Sequence, residues 1–152
     1  MVALVGLRSK RYGKFLRLDG TGLNKFQPSG GGTAGTQSFI EVQETFYLIE
    51  NTDGTVSFES TGFAKVFLRL DGSGVTAGVI TPPGGGVVNG QFGSITLERF
   101  KIVKKGRDGI VGIESNSFPG RFLRMNGDKN EVNVQGQLGP SEEWEILVVG
   151  RA

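Results

Sequence analysis

Apolar and polar residues alternate with a period of two along most of this chain, which is the pattern of β-strands that bury one face. The clearest example is Phe-Leu-Arg-Leu-Asp-Gly at residues 15–20, in which Leu16 and Leu18 share one face while Phe15 and Arg17 share the other. We therefore expect the two leucines to face the core. No window shows sustained helical periodicity, and the 26 glycines suit a chain of short strands and turns.

That hexapeptide pattern occurs three times, which makes the chain an internal threefold repeat. The copies lie at residues 15–20, 67–72 and 122–127. A short alternating strand precedes each copy, at residues 5–9, 56–60 and 111–115. Asp-Gly pairs at 53–54 and 108–109 are typical of tight turns between antiparallel strands. We therefore expect a single domain of three units, at roughly residues 1–52, 53–107 and 108–152.

Each unit closes with a carboxylate, a spacer, an aromatic residue, a spacer and an aliphatic pair. The closing segments are Glu44 with Phe46, Leu48 and Ile49; Glu98 with Phe100, Ile102 and Val103; and Glu142 with Trp144, Ile146 and Leu147. Between the hexapeptide and the closing segment we predict a third strand, at roughly 23–26, 75–80 and 131–134. The pattern thus predicts about four strands in each unit and about a dozen in all.

Three four-strand units of this kind resemble a β-trefoil. The resemblance is carried by the strand Val-x-(Leu/Phe/Ile)-x-Ser, the Phe-Leu-Arg stretch, the Asp-Gly or Asn-Gly turn and the aromatic closing residue, and it covers nearly the whole chain. It implies an all-β fold in which the first and fourth strands of each unit build a six-stranded barrel, capped by three hairpins of second and third strands. The expected core is Leu7, Leu16, Leu18, Phe46, Leu48, Phe58, Leu68, Leu70, Phe100, Ile102, Ile113, Leu123, Met125, Trp144 and Ile146.

Residues 99–103 and 111–124 resemble the arabinose-binding (AbfB-type) trefoil module more specifically. Such modules place a histidine directly after the Phe-Leu-Arg phrase and an aspartate just before the closing aromatic residue, and both bind sugar. In this chain the first position holds Leu18, Leu70 or Met125, and the second holds Gln43, Leu97 or Ser141. Fascin-like and hisactophilin-like actin-associated trefoils share the strand pattern, and fibroblast-growth-factor-like cytokines share the Phe-Leu-Arg start.

Composition limits the possible chemistry. The 152 residues include no cysteine and no histidine, which excludes disulfides, thiolate metal sites and Ser-His-Asp or Cys-His catalytic arrangements. The pattern brings no two carboxylates to one cleft, and no acidic loop has calcium spacing. We therefore expect a protein that is not an enzyme and that needs no metal ion and no cofactor.

The apolar run at residues 2–7 is too short for a signal peptide and is interpreted as the first strand. The sequence contains no Asn-x-Ser/Thr sequon and no stretch that predicts a membrane span. A cytosolic location is the simplest interpretation, and a processed or unconventionally secreted form stays open.

Basic residues cluster although the net charge is only +2. The candidate basic contact patch comprises Arg8, Lys10, Arg11, Lys14, Lys104, Lys105 and Arg107. Such a cluster either is a solvated surface or binds an acidic surface or a phosphate or sulfate group. Nucleic acid is disfavoured because most aromatic residues occupy core positions, leaving Tyr12, Phe118 and Phe92 for base stacking.

Two Gly-rich stretches interrupt the threefold pattern and are interpreted either as flexible insertions between the third and fourth strands or as contact loops. The candidate contact residues are Ser29, Gly30, Gly31, Gly32, Pro82, Pro83, Gly84, Gly85 and Gly86. The third unit has only residues 136–140 at that place. The repeated arginines Arg17, Arg69 and Arg124 lie on the outward face, where we expect a structural role, covering phenylalanine and pairing with the closing glutamates.

The sequence therefore favours a non-catalytic protein-interaction or scaffold module, working with a protein partner or by self-assembly, including as a packing component of a larger assembly. A carbohydrate-binding module of the arabinose-binding type is the alternative, and an actin-associated fascin-like or hisactophilin-like protein is a further one.

Overall fold

The structure is a computed structural model that describes residues 2–106 and 108–152, in which the chain forms twelve strands and two short 3₁₀ helices. The strands are β1 Ala3–Ser9, β2 Phe15–Asp19, β3 Thr33–Gln37, β4 Phe46–Glu50, β5 Val56–Ser60, β6 Val66–Asp71, β7 Val87–Phe92, β8 Phe100–Lys104, β9 Ile110–Ser115, β10 Phe122–Asn126, β11 Glu131–Gln135 and β12 Trp144–Arg151. The 3₁₀ helices, Val42–Glu44 and Pro140–Glu142, precede β4 and β12.

Six strands close a barrel, and the other six form hairpins. Around the barrel, β1 pairs with β12 and β4, β5 with β4 and β8, and β9 with β8 and β12, all antiparallel. The hairpins are β2–β3, β6–β7 and β10–β11. This arrangement is a β-trefoil, so the predicted fold is confirmed.

The core lies where the three units converge. All but three of the expected core residues are buried, from Leu7 to Trp144. The Phe58 ring lies 6.4 Å from that of Phe46 and 5.8 Å from that of Phe100, so the closing aromatic residues of the first two units both pack against Phe58 of β5. The Trp144 indole donates to the Leu123 carbonyl at 3.0 Å, which satisfies its buried N–H group.

Three expected core residues are only partly buried, although they pack against the core: Leu48, Ile102 and Ile146. Leu48 lines a surface cleft of about 310 Å³ together with Ala3 and Arg151, which explains its partial exposure. The alternation also missed several buried valines and one leucine, namely Val5, Leu23, Val66, Val75, Val88, Val132 and Val134.

Two of the predicted third strands are wrong. Residues 23–26 and 75–80 are loop, and the third strands are β3 and β7, which follow the Gly-rich stretches. Those stretches therefore lie between the second and third strands, not between the third and fourth. In the third unit the predicted strand is confirmed as β11, and the missing insertion is the short connection 127–130, not residues 136–140.

The error has a physical cause. Leu23 and Val75 are buried although they lie in loops, because each packs beneath a glycine of its own loop. A Cβ on Gly31 would lie 3.2 Å from Leu23, and one on Gly85 would lie 3.2 Å from Val75. Apolar residues that pin a loop to the core thus resemble the inward positions of a strand.

Replacing a fully buried leucine tests the core assignment. Leu68 in β6 has no exposed surface, so Leu68→Ala should lower the free energy of unfolding by about 2–5 kcal/mol through lost burial and a residual cavity. Urea titration followed by tryptophan fluorescence measures this change. A change near zero would show that Leu68 lies outside the core.

Candidate functional site

Each unit has the same three polar side chains: an arginine and a glutamine on its hairpin, and the closing glutamate just before its fourth strand. The arginines follow the phenylalanine of the second strand, and the glutamines lie opposite that phenylalanine in the third strand, paired as Phe15 with Gln37, Phe67 with Gln91 and Phe122 with Gln135. The three sites are therefore equivalent in position: Arg17, Gln37 and Glu44; Arg69, Gln91 and Glu98; Arg124, Gln135 and Glu142.

The closing glutamates are buried structural groups. Their carboxylates accept backbone N–H groups three residues upstream, from Glu41 to Glu44 at 2.8 Å, from Ile95 to Glu98 at 2.9 Å and from Gly139 to Glu142 at 2.8 Å. Burial raises the pKa of Glu142 and outweighs the Gly139 hydrogen bond and the Arg124 charge, which lower it. Glu142 is the last residue of the 3₁₀ helix Pro140–Glu142, two residues before Trp144 begins β12.

The arginines differ in exposure more than in contacts. Arg17 and Arg124 lie 3.9 Å from the closing glutamates Glu44 and Glu142. Arg17 and Arg69 each lie 3.7 Å from the aspartate two residues further on, Asp19 and Asp71. The exposed fraction of the side chain is 5% for Arg69 and 12% for Arg124 but 33% for Arg17. The outward arginines of the second and third units are thus covered, while the arginine of the first unit is open to solvent.

The Gly-rich loops provide that cover. The loop of the first unit lies on the second unit, where the Gln91 carboxamide donates to the Gln27 carbonyl at 2.6 Å and accepts the Gln27 N–H at 3.0 Å. The loop of the second unit lies on the third in the same way, since Gln135 donates to the Thr81 carbonyl at 3.0 Å and accepts its N–H at 2.8 Å. Each glutamine therefore binds a loop backbone at two points.

Glycines of the same loops add a β-bridge to the next unit. Gly31 and Gly90 exchange backbone hydrogen bonds at 2.8 and 2.7 Å, and Gly85 and Val134 at 2.9 and 2.8 Å. A third contact comes from asparagines of β7 and β11. Asn89 donates to the Ser29 carbonyl and Asn133 to the Pro83 carbonyl, each at 3.1 Å.

The loop candidates are therefore held in place by a neighbouring unit, through backbone hydrogen bonds and close packing. The conformation also requires glycine, because Gly32 has φ of 70° and a Cβ there would lie 2.3 Å from the Asp19 carbonyl oxygen. A role for these loops in contacting a partner stays a prediction.

The site of the first unit has no such loop. The preceding connection in the cyclic order is 127–130 of the third unit, which is too short to reach across it. Among the described residues, Gln37 accepts the N–H of the next residue, Ser38, but binds no loop of another unit, and Gly35 stands where the other units have asparagine. We define the first-unit groove by Arg17, Gln37, Glu41, Val42, Gln43 and Glu44, which enclose about 360 Å³.

A second open feature lies on the third unit, between its site and the loop that covers it. We define the third-unit cleft by Ile80, Pro82, Pro83, Arg124, Gln135, Gln137 and residues 139–142, which enclose about 410 Å³. Its walls combine apolar side chains with the Arg124 guanidinium and the Glu142 carboxylate. The equivalent space on the second unit is only about 130 Å³.

The basic patch is largely paired with acidic and polar groups. Glu143 binds Lys105 at 2.6 Å and lies 3.8 Å from Lys10, and Arg8 pairs with Glu145 at 3.0 Å. The fold therefore brings basic residues of two distant segments to one carboxylate, which offsets much of their attraction for a polyanion.

The remaining basic candidates lie apart from that carboxylate. Arg11 donates to the Ser141 hydroxyl at 2.8 Å, and Lys14 donates to the Gly127 carbonyl at 2.7 Å. Lys104 is exposed, and Arg107 lies outside the described residues. Binding of an acidic surface by the whole patch stays a prediction.

Two aspartates at the ends of the second strands, Asp19 and Asp71, bond the backbone of the turns that follow. Asp19 accepts the Thr21 N–H at 3.0 Å, and Asp71 accepts the Ser73 N–H at 2.9 Å. The hydrogen bonds from the Thr21 hydroxyl and N–H hold the pKa of Asp19 below its usual value; burial opposes them, and the Arg17 charge adds a smaller lowering effect. These carboxylates therefore act in turns.

Sequence reasoning missed the three glutamines, although a signal was present. Gln37, Gln91 and Gln135 precede their closing glutamates by the same number of residues in all three units. When the three units are aligned on their closing glutamates and the alignment is extended toward the N-terminus, the glutamines fall at one position. The loop contacts have no comparable signal, because they join residues far apart in the sequence.

Within residues 2–106 and 108–152, no group of three or more acidic, histidine or cysteine side chains has the arrangement of a metal site. None of the helices described is both long and apolar enough to cross a membrane.

The loop clamp can be tested by removing one glutamine. Gln135→Ala should lower the free energy of unfolding by about 1–3 kcal/mol, because it leaves the Thr81 backbone groups without partners, and should speed hydrogen exchange at the Thr81 amide. The matched control is Gln37→Ala, which removes no loop contact and should be close to neutral. Equal effects of the two variants would contradict the assignment of Gln135 as a clamp.

Comparison with solved structures agrees with the fold. SeviL, solved bound to the asialo-GM1 saccharide, superimposes with a TM-score of 0.71 at 11% identity, over 99% of this chain and 100% of that one. ThreeFoil, a designed threefold symmetric protein, gives a TM-score of 0.71 at 15% identity, over 96% of this chain and 99% of that one.

A third similar structure is larger. An endo-β-galactosidase from Clostridium perfringens that releases GlcNAcα1-4Gal matches at a TM-score of 0.70 and 12% identity, over 97% of this chain but only 33% of that one. No family model and no curated protein sequence matches this chain. At these identities the comparisons establish the β-trefoil fold alone, and the narrower resemblance to arabinose-binding, fascin-like and hisactophilin-like modules stays a prediction.

Proposed function

We propose that this chain is a non-catalytic protein-interaction module that binds its partner at the first-unit groove. The observation that carries the proposal is the difference among three equivalent sites. Two are covered by a loop whose backbone is bound by a glutamine, while the third presents Arg17 and Gln37 without a loop.

The lining of the groove suits a polar partner. Its rim holds the exposed Glu41 and Val42, and its floor holds the Glu44 carboxylate next to the Arg17 guanidinium. The groove thus combines positively and negatively charged side chains and carboxamides with one apolar side chain, that of Val42. A mixed lining of this kind is typical of protein interfaces that are not permanent. A packing role in a larger assembly is one form that this interaction can take.

Two features support the non-catalytic part of the proposal. The chain has neither histidine nor cysteine, and the buried carboxylates of the three sites accept backbone N–H groups. A carboxylate held in this way caps the turn before its strand, which supports a structural role for these groups.

Site-specific photocrosslinking tests the interaction surface. A photoreactive residue at Val42 should give a discrete protein adduct in an extract of the source cells, because Val42 is 57% exposed and lines the groove. The matched control is Val148, a valine of β12 that is also 57% exposed and does not line the groove. No adduct at Val42, or the same adducts at both positions, would contradict the proposal.

A carbohydrate-binding function is the second candidate, and it is favoured by a different observation. The third-unit cleft combines the Arg124 guanidinium and the Gln137 carboxamide with walls of isoleucine and proline. Polar groups that orient a ligand over an apolar wall are typical of small-ligand sites. The solved structure of SeviL holds a saccharide, which makes a glycan a reasonable ligand class to test.

A glycan array that includes arabinan and xylan tests this candidate. If the cleft binds sugar, Ile80→Glu should reduce the signal by about tenfold or more, because it places a charge on an apolar wall. Ile80 is 60% exposed, so the substitution should leave the fold intact, and Val148→Glu is the matched control. An array without hits would exclude the candidate.

A further inference from the structure

The two Gly-rich loops present the same short segment to the same acceptor. Residues 26–31 are Phe-Gln-Pro-Ser-Gly-Gly and residues 80–85 are Ile-Thr-Pro-Pro-Gly-Gly, so both follow the pattern apolar–x–Pro–x–Gly–Gly. The residue before the proline gives its backbone N–H and C=O to a glutamine, the residue after it gives its carbonyl to an asparagine, and the second glycine forms a β-bridge. The chain thus contains two bound examples of one segment.

The first-unit groove keeps the central part of that acceptor. Gln37 accepts the N–H of the following residue, Ser38, at 3.2 Å, and Gln91 and Gln135 accept the equivalent N–H groups at 3.0 and 2.9 Å. This shared contact holds the three carboxamides in the same orientation. At Gln37, however, no loop backbone within the described residues takes the second pair of hydrogen bonds.

The edge of β3 is also available. Among the described strands, β3 pairs only with β2, whereas β7 and β11 each receive a glycine bridge from a loop. The equivalent position in β3 is Thr36, whose N–H donates at 2.7 Å to the side-chain oxygen of Asn130. Asn130 is exposed and belongs to the short connection of the third unit, so its side chain stands where a glycine carbonyl would bind.

We infer that the first-unit groove binds an extended segment of a partner protein with the pattern apolar–x–Pro–x–Gly–Gly. The inference rests on the proposed function and names the chemistry of the partner. The segment adds to the free edge of β3, with the backbone of its second residue bound by the Gln37 carboxamide and the Asn130 side chain displaced from Thr36. A second copy of this chain does not fit, because its own two segments are already bound within the molecule.

Peptides copied from the chain itself are the probes. Labelled peptides with the sequences of residues 25–32 and 79–86 should bind the intact protein in fluorescence anisotropy, and Gln37→Ala should weaken binding by about tenfold or more through loss of two hydrogen bonds. The matched control peptide carries an N-methyl group on the amide nitrogen of the residue equivalent to Gln27, which removes the donor that Gln91 accepts. It should bind at least about tenfold more weakly.

A gain-of-function variant tests the geometry independently. Gly35→Asn with Asn130→Gly supplies the missing asparagine and frees the Thr36 N–H. The two changes belong together, because a Cβ at Gly35 would lie 2.9 Å from the Asn130 side-chain oxygen, while the φ of 51° at position 130 suits glycine. This variant should bind the peptides about tenfold more tightly, with an unchanged circular dichroism spectrum.

Several results would overturn the inference. The first is that the intact protein binds neither peptide, whatever the double variant does. The second is that Gln37→Ala binds the peptides as tightly as the intact protein, or that the N-methylated peptide binds as tightly as the unmethylated one. The third is that the protein self-associates in light scattering and that Gln37→Ala abolishes this self-association. A groove that crosslinks a partner through position 42 but binds neither peptide would leave the proposed function standing and refute only the segment. If position 42 crosslinked no partner while both peptides still bound, the proposed function would be refuted and the affinity of the groove for the segment would stand.

Discussion

Closure of the barrel is the constraint on which the rest of the structure depends. The six barrel strands leave no unpaired edge among themselves only because β1 bonds to β12 along its length, from Ala3 opposite Arg151 to Ser9 opposite Trp144. Closure brings the three units around one centre, where Leu16, Leu68 and Leu123 are fully buried. It also fixes where each hairpin stands relative to the next unit, and so determines which loop can reach which glutamine.

Closure of the barrel does not pair the outer edges of the three hairpins. Each has an outer edge with backbone groups that need partners, and the fold satisfies two of these edges with segments of the preceding unit. The arrangement is a cycle in which each unit can cover the next, and the cycle is broken at one step because residues 127–130 form a tight connection. The same break leaves Arg17 more exposed than Arg69 or Arg124. Asymmetry in one connection therefore creates the groove.

The fold could be predicted from the sequence because its signals are local and repeated. The inward leucines of the Phe-Leu-Arg phrase and the aromatic closing residues follow a period of two, and three copies reinforce each pattern. The third strands of the first two units could not be placed, since Leu23 and Val75 are buried by loop packing and resemble strand residues. The site was partly predictable. The arginines and closing glutamates stand out by repetition, whereas the Gln91 contact with Gln27 joins distant segments through backbone atoms that carry no sequence signal.

The tight connection at residues 127–130 also makes the molecule easy to re-engineer. The covering segments contact their acceptors mainly through main-chain atoms, so their transfer depends on length and glycine placement more than on side-chain identity. Splicing residues 20–32 in place of the tight turn would give all three faces an internal cover. In such a chain the spliced loop would occupy the groove intramolecularly. Another molecule could then bind only as often as the spliced loop opens.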